Sequence, residues 1–223
     1  MTRMASTRRA QRARGWTAAA RAAAVAALVA AAAVLALHAL RRDLEPASHR
    51  LSEYAIGPWG WLMTLAFALV AAGVWLLRRA LPADDRLRPV PVLLAVASIG
   101  FVVSAVFPTD PTRPDAVRET VHSVASSGAL AALTAAALWT VTIGAGAIGW
   151  RRTRGPAGVA TAVAALGVLI SPLVHDSPWT GAVQRLLYVS LTVWLLLVCR
   201  TGGRASERGG APNASADSRS DRA

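Results

Sequence analysis

The chain has 223 residues, of which 54% are apolar, and its 24 basic and 12 acidic residues give a formal net charge of +12. All the basic residues are arginine, and they stand in short clusters between long apolar runs that carry almost no charge. This distribution excludes an ordinary soluble domain, in which charge is spread over every surface segment. It also argues against nucleic acid as a partner, because the positive charge follows the ends of the apolar runs.

Six apolar runs follow one another along the chain. A helix that crosses the roughly 30 Å hydrocarbon core of a membrane needs about 20 apolar residues, since it must satisfy its own backbone hydrogen bonds there. The sequence therefore predicts an all-α polytopic membrane protein with six transmembrane helices in an antiparallel bundle. The predicted spans are residues 17–40, 57–77, 90–107, 121–150, 156–174 and 179–199.

The arginines predict how these spans are oriented. If the N-terminus is cytoplasmic, the inner segments contain 17 arginines and the outer segments contain five. Cytoplasmic loops favour basic residues, so both termini are predicted to lie inside. The predicted domains are an arginine-rich cytoplasmic segment at 1–16, a six-span membrane domain at 17–199, and a disordered cytoplasmic tail at 200–223 that is rich in Gly, Ser, Ala and charge.

The first apolar run also resembles the start of a secretory signal, because it follows a basic segment. A cleaved signal is therefore the alternative to a first span. The run has about 20 apolar residues, whereas a signal has about 7–15, and it lacks a clear small-x-small exit. These features favour a span that is retained.

Titratable and hydroxyl side chains gather at the predicted outer ends of the spans. All four histidines lie there, namely His38, His49, His122 and His175. In the stretch HRLSE, Ser52 and Glu53 follow His49 by three and four residues, so a helical conformation places them on one face. His122 and Ser126 are also four apart. The spacing predicts a polar pair at each of two span ends.

Arg185 lies inside the last predicted span, about 9 Å below the membrane interface at 1.5 Å per residue. A guanidinium at that depth is costly unless it finds a counter-ion, and its fork of donors suits a carboxylate. We expect Arg185 to face the bundle and to pair with Glu53 or Asp110. The alternative is that it extends outward to lipid headgroups. The same helix carries a polar stripe of Gln184, Arg185, Tyr188 and Thr192.

Four short motifs carry a resemblance to a known family. They are HxxSEYA at 49–55, FPTD at 107–110, a histidine that opens the fourth span at His122, and QR at 184–185. In this order the motifs resemble the domain of unknown function 998 family of multi-spanning prokaryotic membrane proteins, over about residues 20–199. The resemblance implies a six-span helical protein of a prokaryotic cell membrane, and it implies that the residues of these four motifs matter for its function. It implies no reaction.

The first functional hypothesis is an outward-facing polar pocket that binds a small polar or anionic ligand or a lipid headgroup. A guanidinium matches the oxygens of carboxylate and phosphate groups, which favours such a ligand. The partners are then the lipid bilayer and a lipid or small polar molecule, and the sequence does not indicate the oligomeric state. The candidate pocket residues are His49, Ser52, Glu53, Tyr54, Asp110, His122, Ser126, Gln184 and Arg185.

The alternative is an intramembrane hydrolase that acts on lipid-like substrates at the outer leaflet. His49 or His122 would be its general base, with Glu53 or Asp110 orienting the base or holding a metal. A weaker form of this hypothesis binds a metal ion through His49, His122 and His175. The spacing matches neither HExxH nor HxxxH, so no cofactor is predicted and no catalytic residue is assigned. A transporter subunit or a structural partner is a further alternative, although the spans contain no acidic residue for a proton relay.

Overall fold

The computed structural model describes residues 2–110, 115–149 and 153–208. Within these ranges the chain forms seven α-helices and two short 3-10 helices, Leu51–Ala55 and Asp85–Leu87, and no strand. The predicted all-α class is confirmed. The α-helices are α1 Thr2–Leu40, α2 Gly60–Ala80, α3 Val90–Val106, α4 Ala116–Thr142, α5 Ala145–Ile148, α6 Arg154–Ile170 and α7 Thr180–Arg208.

Five helical segments in the described ranges are long and apolar enough to cross a membrane. The fifth predicted span, at 156–174, corresponds to α6, which is apolar but has 17 residues. That length is at the lower limit for crossing the hydrocarbon core. The five segments are Ala18–Leu40, Gly60–Ala80, Asp85–Val106, Ala116–Thr142 and Thr180–Thr201.

The run predicted as one span at 121–150 is two helices. Helix α4 begins earlier than predicted because the Asp115 carboxylate accepts hydrogen bonds from the backbone N–H groups of the first turn. It ends at Thr142, and the short α5 that follows ends where Gly149 takes a left-handed conformation at φ 73°. The prediction of a single helix through this run is wrong, since α4 ends before Gly144 and the left-handed Gly149 ends α5 at little cost. Trp150 lies outside the described residues.

The first and the last helix of the chain extend beyond the predicted domain boundaries. Helix α1 already begins at Thr2, so it is continuous across the boundary predicted between residues 16 and 17. Helix α7 continues to Arg208, past the boundary predicted between residues 199 and 200. Alanine, arginine and glutamate in these segments all favour helix. The rest of the predicted tail, 209–223, lies outside the described residues.

The six longer helices pack in a closed ring. Helix α1 contacts α2 and α7, and the order continues through α3, α4 and α6 back to α7, while α5 lies against α4 and α7. Close approach depends on small residues, as where a β-carbon on Gly100 of α3 would lie 2.6 Å from Ala125 O of α4. The fully buried Trp194 of α7 donates from Nε1 to Thr140 Oγ1 at 3.1 Å. This packing leaves an interior whose walls come from several helices.

Residues 41–59, which we call the α1–α2 strap, lie across one end of the ring. The strap contains the 3-10 helix Leu51–Ala55. It contacts the first turn of α7, where Ala182 N donates to Ala47 O at 2.9 Å. The strap therefore brings the HRLSEYA motif next to the QR motif of α7.

Candidate functional site

Arg41 holds the two ends of the strap together. Its side chain is buried, and its Nε and Nη2 donate to the Asp43 carboxylate at 3.0 and 2.8 Å. Its Nη1 donates to the main-chain oxygen of Ile56. The hydrogen bonds from Arg41 lower the pKa of the Asp43 carboxyl group. Because the guanidinium reaches both ends of a 19-residue segment, it fixes the conformation of the strap over the ring.

Arg185 joins α7 to α1 and to the strap. Its Nε donates to His38 Nε2 at 2.7 Å, and its Nη1 donates to the main-chain oxygens of His49 and Gly181 at 2.7 and 2.9 Å. The guanidinium carbon also lies 5.4 Å from the centroid of the Tyr54 ring. We call these five residues the Arg185 cluster. The side chain thus faces α1 and the strap.

The prediction that Arg185 pairs with Glu53 or Asp110 is wrong. Its Nε and Nη1 meet an imidazole and main-chain oxygens, and its Nη2 is buried without a hydrogen-bond partner among the described residues. Glu53 turns back on its own 3-10 helix, where Oε1 accepts from Arg50 N at 3.2 Å. The main-chain oxygen of His49 in the strap, which carries no sequence signature, accepts a hydrogen bond from Arg185 where a carboxylate was expected.

The contacts of His38 define its protonation state. Arginine only donates hydrogen bonds, so His38 Nε2 must accept, and the carbonyl of Val34 only accepts, so Nδ1 must donate across 2.6 Å. The imidazole is therefore neutral. None of the partners of Arg185 in the described structure balances its positive charge, and a partly buried cation in that position is costly.

A cavity lies inside the ring next to the Arg185 cluster. We call it the polar cavity, and its walls come from the 3-10 helix Leu51–Ala55, α2, α3, α4 and α7. The volume that the centres of water molecules can reach inside it is about 40 Å³. One water needs about 10–15 Å³ on this measure, so the cavity has room for a few waters or a small chemical group. Its polar lining residues are Ser52, His122, Ser126, Gln184 and Tyr188.

Three of these side chains offer unused hydrogen-bonding groups. His122 is 4% exposed and donates from Nδ1 to Phe107 O at 2.8 Å, which leaves Nε2 as an acceptor when the ring is neutral. Gln184 Oε1 accepts from Leu51 N at 2.6 Å, which leaves the Gln184 NH₂ group as a donor. The Tyr188 hydroxyl is buried and has no hydrogen-bond partner in the described part of the chain. The cavity therefore presents two donors and an acceptor.

The nine predicted pocket residues divide into separate groups. His49, Tyr54 and Arg185 belong to the Arg185 cluster. Glu53 binds the backbone of its own helix, and Asp110 lies in the segment after α3 and does not line the cavity. The four that line the polar cavity are Ser52, His122, Ser126 and Gln184.

Two functional candidates were absent from the predicted pocket. Tyr188 lies one helical turn beyond Gln184, so the polar stripe of α7 already carried a signal for it. His38 lies near the end of α1, and its contact with Arg185 joins residues 147 positions apart in the chain. No local pattern indicates such a pairing.

The geometry does not assemble the metal site of the hydrolase hypothesis. Among the described residues no group of three or more His, Cys, Asp or Glu could hold a metal ion. His49 Nδ1 lies 3.2 Å from Glu45 O, whereas His175 Nε2 lies 2.9 Å from Arg50 Nη2. His122 is held elsewhere by Phe107 O, so the described hydrogen bonds do not bring these three histidines together.

A serine nucleophile also lacks its base in the described structure. The Ser126 hydroxyl donates to Ser123 O at 3.3 Å, and no hydrogen bond between described residues joins His122 to Ser52 or Ser126. An activated serine needs its base within hydrogen-bond reach.

A ring of apolar helices that encloses a polar cavity at one end defines the chain as a helical transmembrane protein. The model of the family described as "Protein of unknown function (DUF998)" matches residues 24–201, and the chain belongs to this family. No curated protein and no solved structure matches it.

Proposed function

We propose that the protein lies in a prokaryotic cell membrane and binds, in its polar cavity, a small polar or anionic ligand or a lipid headgroup. The observation that carries this proposal is the Tyr188 hydroxyl, a buried polar group that lines the cavity and has no partner among the described residues. A buried hydroxyl that is left without a partner costs about 1–3 kcal/mol. A ligand oxygen would satisfy it.

The electrostatics support a ligand that carries negative charge. Arg185 follows Gln184 directly in α7, and its described partners are neutral. The residues that line the cavity include no Asp or Glu. A carboxylate or phosphate would accept hydrogen bonds from Gln184 and Tyr188 while lying in the field of the nearby guanidinium. A cationic ligand would be repelled by that field.

The cavity faces the outside of the cell in this proposal. Helix α6 would be the sixth span, because it completes the ring between α4 and α7. Six antiparallel spans place both arginine-rich ends inside and the strap outside. A Ser48→Cys, Cys199→Ser variant in intact cells tests the orientation. We expect a membrane-impermeant thiol reagent to label Cys at position 48, and labelling only after lysis would refute the orientation.

Blocking the cavity tests the binding function. Ser126→Leu would fill the polar cavity, whereas Ser127→Leu places the same side chain on the exposed face of α4. The probes are acetate and inorganic phosphate, added at constant ionic strength to purified protein, and the measurement is the unfolding temperature. A ligand that binds only the folded state raises this temperature.

We expect at least one probe to raise the unfolding temperature of the wild type and of Ser127→Leu but not that of Ser126→Leu. Equal shifts in Ser126→Leu and Ser127→Leu, or no shift in any of the three proteins, would refute binding in the cavity. Without added probe, the two variants are compared first, so that a loss of folding in Ser126→Leu is recognised. Ser126→Ala, which removes the hydroxyl without adding volume, should keep the binding.

A further inference from the structure

A second cavity lies deeper in the ring and adjoins the polar cavity. We call it the deep cavity, and the volume that the centres of water molecules can reach inside it is about 20 Å³. The two cavities share four lining residues, namely Val70, Phe101, Leu130 and Tyr188. The unpartnered Tyr188 hydroxyl belongs to a residue in both walls. The two spaces are therefore neighbours along the interior of the bundle.

The deep cavity is lined almost entirely by apolar side chains. Its polar lining residues are Tyr188 and Thr192, and the Thr192 hydroxyl uses its single donor on Tyr188 O at 2.8 Å. Leu133 of α4 and Leu191 and Leu195 of α7 form much of the remaining wall. An apolar cavity of this kind gives water too few partners, and it suits hydrocarbon.

The two cavities together extend along a substantial part of α7. From Gln184 in the polar wall to Leu195 in the deep wall the helix rises about 16 Å at 1.5 Å per residue. Five of the twelve residues that line the polar cavity carry hydrogen-bonding side chains, whereas two of the nine that line the deep cavity do. A molecule that matches both ends has a polar head and an apolar chain.

We propose that the ligand is a single-chain amphiphile with an anionic oxygen head, a carboxylate or a phosphate. The head lies at Gln184 and Tyr188, and the chain extends into the deep cavity past Phe101 and Leu191. This inference rests on the proposed function, and it specifies the ligand of that same site. The deep cavity is the smaller of the two and has room for one or two waters on the same measure, so two chains do not fit in it side by side.

A matched pair of variants isolates the chain-binding part. Thr192→Phe introduces an aromatic ring into the wall of the deep cavity, and Val193→Phe introduces the same ring one position along, where the side chain is 39% exposed on the outside of α7. Thr192→Leu is a smaller change that serves if the phenylalanine variant does not fold. The polar cavity keeps all its lining residues in each variant.

The experiment measures dissociation constants for acetate, hexanoate and decanoate, with the protein in phosphatidylcholine nanodiscs and the free probe concentration determined by dialysis. Each methylene that leaves water contributes about 0.8 kcal/mol, which is about a fourfold gain in affinity. We expect this gain along the series in the wild type and in Val193→Phe. Thr192→Phe should bind acetate normally but bind decanoate at least tenfold more weakly than Val193→Phe.

Two outcomes would overturn the inference: decanoate binding no tighter than acetate in the wild type, or equal decanoate affinity in Thr192→Phe and Val193→Phe. The second outcome would show that decanoate gains its affinity by entering the surrounding bilayer and not the deep cavity. These outcomes leave the proposed function intact as long as Ser126→Leu abolishes binding of acetate or phosphate. Decyl phosphate, measured beside decanoate, distinguishes the two heads, and a Thr192→Phe defect for either one supports the inference.

Discussion

Gly181 lies where α7 meets the α1–α2 strap, and its replacement by alanine tests that contact. A β-carbon at this position would lie 2.6 Å from Pro46 O and 2.7 Å from Arg185 Nη1, and it would lie closer still to His49 O. Carbon atoms do not approach oxygen and nitrogen this closely without bonding. The strap or the guanidinium must therefore move in Gly181→Ala.

The expected magnitude follows from the hydrogen bonds that this movement breaks. Arg185 Nη1 to His49 O, at 2.7 Å, involves a charged donor and contributes about 1.5–3 kcal/mol. Ala182 N to Ala47 O, at 2.9 Å, is neutral and contributes about 0.5–1.5 kcal/mol. Alanine gains up to about 1 kcal/mol over glycine in a helix. The net loss in free energy of unfolding is then about 1–3.5 kcal/mol.

The assay is reversible unfolding in detergent micelles, followed by far-ultraviolet circular dichroism. Gly128→Ala is the control, because a β-carbon at Gly128 of α4 has no atom within 4 Å. Helix propensity alone then acts, and we expect this control to be as stable as the wild type or more stable. If Gly181→Ala is as stable as Gly128→Ala, the close contact between strap and α7 is refuted.

Two further predictions concern the arginines that hold the strap. In Arg185→Lys a single nitrogen replaces a guanidinium that reaches His38 and two main-chain oxygens. The free energy of unfolding should therefore fall by about 1–3 kcal/mol in the same assay. In the control Arg42→Lys, at an exposed position, it should hardly change. The hydrogen bonds from Arg41 lower the pKa of Asp43 below its ordinary value of 3.8. The ionised carboxylate therefore stabilises the fold above pH 3.8. This stabilisation is lost as the pH falls through the pKa of the folded state. Asp43→Asn should flatten that part of the acid unfolding curve, and an unchanged curve would contradict the pairing.

The helices could be predicted where an apolar run and the residues at its start indicate the same helix. Helix α3 begins at Val90, as predicted, because Pro89 and Pro91 suit the first turn of a helix, and the apolar run that follows satisfies its own backbone. The same reasoning failed at the end of α4, where Gly144 and Gly149 interrupt an equally apolar run. Hydropathy measures the solvent that a segment prefers, and it does not detect a local break in the backbone.

The candidate site could be predicted as a set of residues but not as an arrangement. His122 and Gln184 stood out because a polar side chain in an apolar segment needs a reason, and both line the polar cavity. The partner of Arg185 did not follow from charge. A neutral imidazole and the main-chain oxygen of His49 take the place of a carboxylate, and their position depends on how the strap crosses the ring.

The sequence by itself determined that the chain is helical, apolar enough for a membrane, and polar at particular helix ends, because those properties depend on neighbouring residues. Only the tertiary structure decided that Tyr188 lies between two cavities and that His38 meets Arg185. The physical reason is that a cavity is the space that side chains from separate helices fail to fill. Its volume and lining depend on how all of those helices pack together.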